Sequence, residues 1–194
     1  MDWPWWARVA LTLLIVDFVG WLSHLVRHKV ALIWDFHALH HSQANMNFFT
    51  EHRVHPLDSV FAQLTRFIPM MMVAPSLTYV VAIEWALLAY RRMYHSNIRT
   101  NLGILRYVFV TPQSHRIHHS NQPQHQDKNF GLILSIWDHV FGTQHRAYDE
   151  YPDTGVADSL FPVEAEAGWL SMGKLLLAQI VYPFRRVAER WSSR

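Results

Sequence analysis

The stretch Trp5-Trp-Ala-Arg-Val-Ala-Leu-Thr-Leu-Leu-Ile-Val-Asp17-Phe-Val-Gly-Trp-Leu-Ser-His24-Leu-Val-Arg-His28 decides the fold. It is apolar over about the 20 residues that a helix needs to cross a bilayer, and it runs straight into a histidine pair. That predicts a membrane helix over 5–27. A signal peptide fits worse: Asp2 stands where a positive segment belongs, and no small-residue cleavage site follows. Asp17 interrupts the apolar run, and a carboxylate at that depth is costly enough to suggest function. At 100° per residue, Asp17, His24 and His28 share one helix face within about 40°. Asp17 therefore reads either as supporting a histidine by a hydrogen bond, or as a carboxylate buried against Arg66 or another helix.

Outward from this segment, residues 57–94 are apolar with breaks at Pro69 and Pro75. A single span there would separate the early histidines from the later ones across the membrane. A membrane helical hairpin keeps them together. The basic residues agree with the hairpin: Arg27, Lys29, Arg53, Arg91, Arg92, Arg99 and Arg106 lie on the histidine-bearing segments, which the positive-inside tendency makes cytoplasmic. Residues 95–158 are more polar and form a His-rich cap, and 167–191 read as an interfacial helix ending in Arg185, Arg186 and Arg190. The fold class is thus all-α: one domain over 1–194, multi-pass in the membrane, with a cytoplasmic helical cap.

Composition narrows the chemistry. Of 194 residues, 51% are hydrophobic and only 16% charged, against about 25% charged in soluble domains. A net charge of +2 gives no case for nucleic acid. The absence of cysteine excludes disulfides, iron–sulfur clusters and thiolate zinc sites. The fourteen histidines stand out.

Most of them are patterned. His24 and His28 are an i, i+4 pair, so both imidazoles leave one helix face. His37, His40 and His41 form HxxHH, and His115, His118 and His119 repeat it. Clustered histidines beyond the three or four that one zinc needs suit two metals with open positions. Imidazole accepts iron, zinc, copper or nickel, so ligand type leaves the metal open. His95 adds a further candidate ligand. His55 and Asn129 read as supporting residues. His52, His125, His139 and His145 stand outside the patterns and read as surface or local structural residues, with His125 the strongest exception. The substrate pocket is expected among apolar side chains such as Phe48, Phe49, Met70 to Met72 and Trp85.

At these residues the sequence resembles the fatty acid hydroxylase superfamily, also called the sterol desaturase family. The stretches that carry the resemblance are Asp17 to His28, Leu32 to Ser42, Arg53 to Leu57, Thr111 to Ser120, Asp127 to Gly131 and Trp137 to Thr143. The run from His95 to Thr143 looks most like the alkylglycerol monooxygenase branch and its bacterial relatives. The resemblance implies an O2-dependent membrane enzyme that uses two iron ions to hydroxylate or desaturate a lipid C–H bond, or to cleave an ether lipid. The ligands it implies are His24, His28, His37, His40, His41, His95, His115, His118 and His119. His95 departs from some branches, because Arg99 rather than histidine stands at i+4. No haem, Fe–S or dinucleotide signature supplies electrons, so an external reductase or soluble reductant is expected. The resemblance also implies a cell inner membrane location in a bacterium or the endoplasmic reticulum in a eukaryote. Family members carry more helices ahead of the first cluster, so a minimal form or a shortened start is expected, with a substrate tunnel that is either incomplete or completed by a homodimer. Two other readings stand beside the enzyme: a histidine-rich metal-binding or transport protein, and an inactive scaffold relative.

Overall fold

The computed structural model describes residues 3–163 and 169–192; Asp2 and the first two residues of the expected last helix, 167 and 168, lie outside the described residues. The described chain is helical and has no β-strand, only two isolated bridges, Phe109 to Leu134 and Ser120 to Thr154. The helices are α1 (Trp5–Lys29), α2 (Ala31–His41), α3 (Pro56–Val73), α4 (Leu77–His95), α5 (Pro112–His118), α6 (Ile136–Phe141) and α7 (Trp169–Ser192).

Helix α1 follows Pro4 and ends in Arg27, His28 and Lys29, cations that suit the negative end of a helix dipole. At 1.5 Å per residue it is about 37 Å long. Among the described residues it alone has the length and apolarity of a membrane span. The chain turns at Val30 and enters α2 at once, so the HxxHH of α2 starts beside the His pair of α1.

Residues 57–94 fold as two helices rather than one. Pro56 opens α3, where a missing N–H costs nothing. Ala74 and Ser76 adopt extended backbone around Pro75, and the chain returns as α4. Arg8 on α1 closes the turn by donating to the carbonyls of Val73 (3.2 Å) and Ala74 (2.8 Å), two carbonyls at the C-terminal end of α3. Val16 of α1, Met70 of α3 and Val80, Ile83 and Leu87 of α4 share one buried core. The outward faces stay apolar and exposed: Val60, Leu64, Ile68 and Met71 recur along α3, and Leu77, Val81 and Trp85 along α4. Each of these helices would measure about 27–29 Å, close to a hydrocarbon core.

Helix α7 packs on α2 through a second core of Ala38, Leu39, Phe161 and Tyr182. Arg190 of α7 donates to the buried Asp35 of α2. Several basic residues behind the topology argument are drawn inward instead of facing a headgroup layer. Arg91 pairs with Glu51 (2.6 Å) and Glu84 (3.0 Å), and Arg27 lies 3.5 Å from Asp58.

Candidate metal centre

The end of α1, α2, the end of α4 and α5 meet at one end of the hairpin, and each brings histidines for a reason visible in its local sequence. In α2, the 3- and 4-residue spacing aims His37, His40 and His41 inward together. In α5, Thr111 and Ser114 form a capping box and Pro112 takes the first turn, which fixes where the helix starts and so the direction of His115 and His118. His119 caps the C-terminal end of that helix.

The nine histidines form two groups. His24, His28, His37, His41 and His118 converge in one, and His40, His95, His115 and His119 in the other; within each group the ligating nitrogens lie within 4.8 Å of one another. In the five-histidine group every Nε2 is buried without a hydrogen-bond partner. Buried polar atoms are almost always satisfied, so five orphans aimed at one point call for a cation. In the four-histidine group, Nε2 atoms stand 3.1 Å apart between His40 and His95, 2.9 Å between His95 and His115, and 3.1 Å between His115 and His119. Nitrogens about 2.1 Å from a shared metal lie about 3.0 Å apart at right angles, so this spacing also fits a metal. His95 therefore does not need a neighbour at position 99; its partners come from α2 and α5.

Five of the far nitrogens are held, as metal-bound imidazoles generally are, whereas Nδ1 of His115 and of His119 is buried without a partner. His24 Nδ1 meets the Phe130 carbonyl at 3.0 Å, His37 Nδ1 meets Asp58 at 2.9 Å, and His118 Nδ1 meets the Lys128 carbonyl at 2.8 Å. His40 Nδ1 lies 3.3 Å from the Arg53 carbonyl, and His95 Nδ1 2.8 Å from that of Arg91. These contacts leave Nε2 as the ligating atom. Burial, with a further contribution from His95, pushes His40 down to about 3. Burial takes His118 down to about 4 against the opposing hydrogen bond to Lys128. The same desolvation, reinforced by neighbouring histidines, lowers His41, His115 and His119 well below the ordinary value. Neutral imidazoles keep the lone pair that a metal takes.

The supporting residues act elsewhere than expected. Asp17 touches neither a histidine nor Arg66. It accepts from the Ile133 and Leu134 amides and from Trp137 Nε1, because the loop before α6 and the first turn of α6 set their donors against α1, so that another helix supplies one of its partners. His55 caps α3 by accepting from the Leu57 amide, and its other nitrogen meets the Ile180 carbonyl. Asn129, at φ 58°, donates to the Ser114 carbonyl and so holds α5 rather than a ligand. His125 is buried but belongs to neither group.

Three residues escaped sequence reading. Asp58 looks like an ordinary acid in a first helical turn, yet it orients His37. Glu51 lies 3.3 Å from His95 Nδ1. Asp138 ties the loop to α1 by accepting from Trp21, Phe130 and Gly131. No spacing rule marks such long-range partners.

Two cavities flank the site. One of about 90 Å3 touches both groups and is lined by Arg27, Arg66, Arg91, Glu51, Asp58 and Tyr94. The other, about 430 Å3, reaches His28, His41 and His118 past Trp34, Asn121, Asp127 and Asp158. Neither is the expected apolar pocket. Phe48, Phe49, Met71, Met72 and Trp85 are exposed, and Met70 is in the core.

Fold and site together define a helical protein with two adjoining histidine groups that could each hold a metal ion. The fatty acid hydroxylase family model matches residues 9–143, and the chain belongs to that family. It is 36% identical to an alkylglycerol monooxygenase of Xenopus tropicalis over 73% of this chain and 30% of that protein. It is 30% identical to the ornithine lipid hydroxylase OlsE of Rhizobium tropici over 97% of this chain and 54% of that protein. A human alkylglycerol monooxygenase matches at 33%, again over 73% of this chain and 30% of that protein. The chain thus spans about a third to a half of the curated relatives it matches. No solved structure matches it.

Proposed function

We propose that the chain is a membrane-bound, O2-dependent di-iron oxidoreductase that hydroxylates a C–H bond of a lipid. The observation that carries this reading is the convergence of five unpartnered Nε2 atoms beside four more at ligand spacing. Hydroxylation is favoured over desaturation because the relatives named above are a monooxygenase and a hydroxylase. A transport pathway would spread ligands along the helices, whereas these gather at one end of the hairpin.

His24, His28, His37, His41 and His118 would hold one iron, and His40, His95, His115 and His119 the other. When bound, the irons would supply activation of O2 for C–H oxidation. The chain's own residues do the rest. Asp58 and the carbonyls of Phe130, Lys128 and Arg91 hold the imidazoles in the ligating orientation. The 430 Å3 cavity would bring the substrate's reacting carbon beside His28, His41 and His118, and burial of the other eight histidines around the half-buried His28 limits the access of bulk water. In this reading α1 and the α3–α4 hairpin are membrane-embedded through their exposed apolar faces, giving a multi-pass protein. The histidine end would face the cytoplasm, in a bacterial inner membrane or the endoplasmic reticulum. An external reductant would supply the electrons.

The test is to reconstitute the iron-loaded protein in vesicles with a reductant and 18O2, and to follow a lipid panel by mass spectrometry. One 18O atom should enter a lipid product, and His118→Ala should abolish it. No labelled product above that of His118→Ala, from protein that holds its iron, would overturn the proposal.

A further inference from the structure

Outside the nine histidines, His125, His145 and Glu150 lie with their ligand atoms within 4.8 Å of one another. His125 Nε2 is 2.7 Å and His145 Nε2 3.4 Å from the same Glu150 Oε2. The ordinary reading is an ion pair of His125 with Glu150, and it leaves two things without a role. His145 stands at 3.4 Å and is turned toward that same oxygen. His145 Nε2 is buried without a hydrogen-bond partner.

We propose that His125, His145 and Glu150 form a third metal site, structural rather than catalytic, that takes a divalent zinc-like cation. Two imidazoles and one carboxylate are a ligand set that zinc accepts, with bonds of about 2.0–2.2 Å. Ligand atoms on one such ion stand roughly 2.8–3.6 Å apart, and a shift of about a tenth of an ångström brings both distances to Glu150 into that range. His125 is fully buried, whereas 43% of the Glu150 side chain is exposed. That leaves a solvent side where water can complete the shell.

The site has a purpose in the fold. The carbonyl of Glu150 accepts from Gln113 of α5, and the His145 amide donates to Asn129, whose side chain donates to Ser114 of the same helix. His125 lies seven residues beyond His118. A cation here clamps three loop segments around the helix that carries His115 and His118.

The test uses the iron-loaded full chain in detergent, with Zn2+ added, excess removed, and both metals counted per chain by mass spectrometry. Wild type should keep one zinc beyond its iron. His145→Ala, which leaves the His125–Glu150 pair intact, should retain zinc at least tenfold more weakly with its iron unchanged. Glu150→Gln, which keeps an acceptor for His125, should do the same and guards against a folding defect in the first variant. Zinc held equally by wild type and both variants would overturn the site, as would zinc gained only by displacing iron.

Discussion

Replacing Asp17 probes how a buried carboxylate on a membrane-type helix organises the metal centre from a distance. Its side chain is 2% exposed and receives the Ile133 amide (2.8 Å), the Leu134 amide (3.2 Å) and Trp137 Nε1 (2.8 Å). Asp17→Asn keeps one acceptor oxygen but turns an NH2 group toward a donor and removes the charge. Hydrogen bonds to charged groups contribute about 1.5–3 kcal/mol each, so this variant should lose about 2–3 kcal/mol. Asp17→Ala leaves all three donors unpaired and should lose about 4.5–9 kcal/mol at the same rate. For a chain of this length, 1 kcal/mol moves Tm by roughly 2–4 °C. Thermal melting in detergent should therefore fall by about 4–12 °C for Asp17→Asn and further for Asp17→Ala. No histidine touches Asp17, so Asp17→Asn should keep its iron content at low temperature. A Tm within about 1 °C of wild type would refute the anchoring role. An intact Tm with lost iron would show that Asp17 supports a ligand, as its helix position first suggested.

Asp58→Asn should weaken metal binding about 10- to 100-fold, the usual cost of losing a partner that orients a ligating histidine; competition with a chelator measures it. Gly131→Ala should destabilise the fold by about 1–3 kcal/mol, because the added Cβ would sit 2.7 Å from the Leu134 carbonyl oxygen and from Val110 Cγ2; a melting curve reads it. Arg8→Leu should lower Tm by a few degrees while iron content stays constant, because it uncaps the α3 end far from the histidines.

Much of the site was legible because histidine spacing is local. His24 with His28, and His37 with His40 and His41, follow from helix periodicity alone. The hairpin was legible through Pro75 and through the need to keep His115 near His37. What periodicity could not carry was partnering between segments. His40 joins His95, His115 and His119 rather than His37 and His41, because it stands about 60–100° around α2 from those two on the same inward side. Helix position put Asp17 on the histidine face, but the carboxylate is satisfied by a loop more than a hundred residues away in sequence. The apolar pocket failed for a related reason. Residues such as Trp85 and Met72 are on the exposed surface of the hairpin, and hydropathy does not distinguish an exposed apolar side chain from a pocket wall.

The central claim is two histidine-ligated irons in one chain. Anaerobic reconstitution with Fe2+, removal of loose metal and counting of iron per chain test it most directly, with His95→Ala and His118→Ala alongside. The account predicts two irons in wild type, with His95→Ala and His118→Ala each losing iron from the group it belongs to. Fewer than one iron in wild type, or a content that neither variant changes, would contradict it.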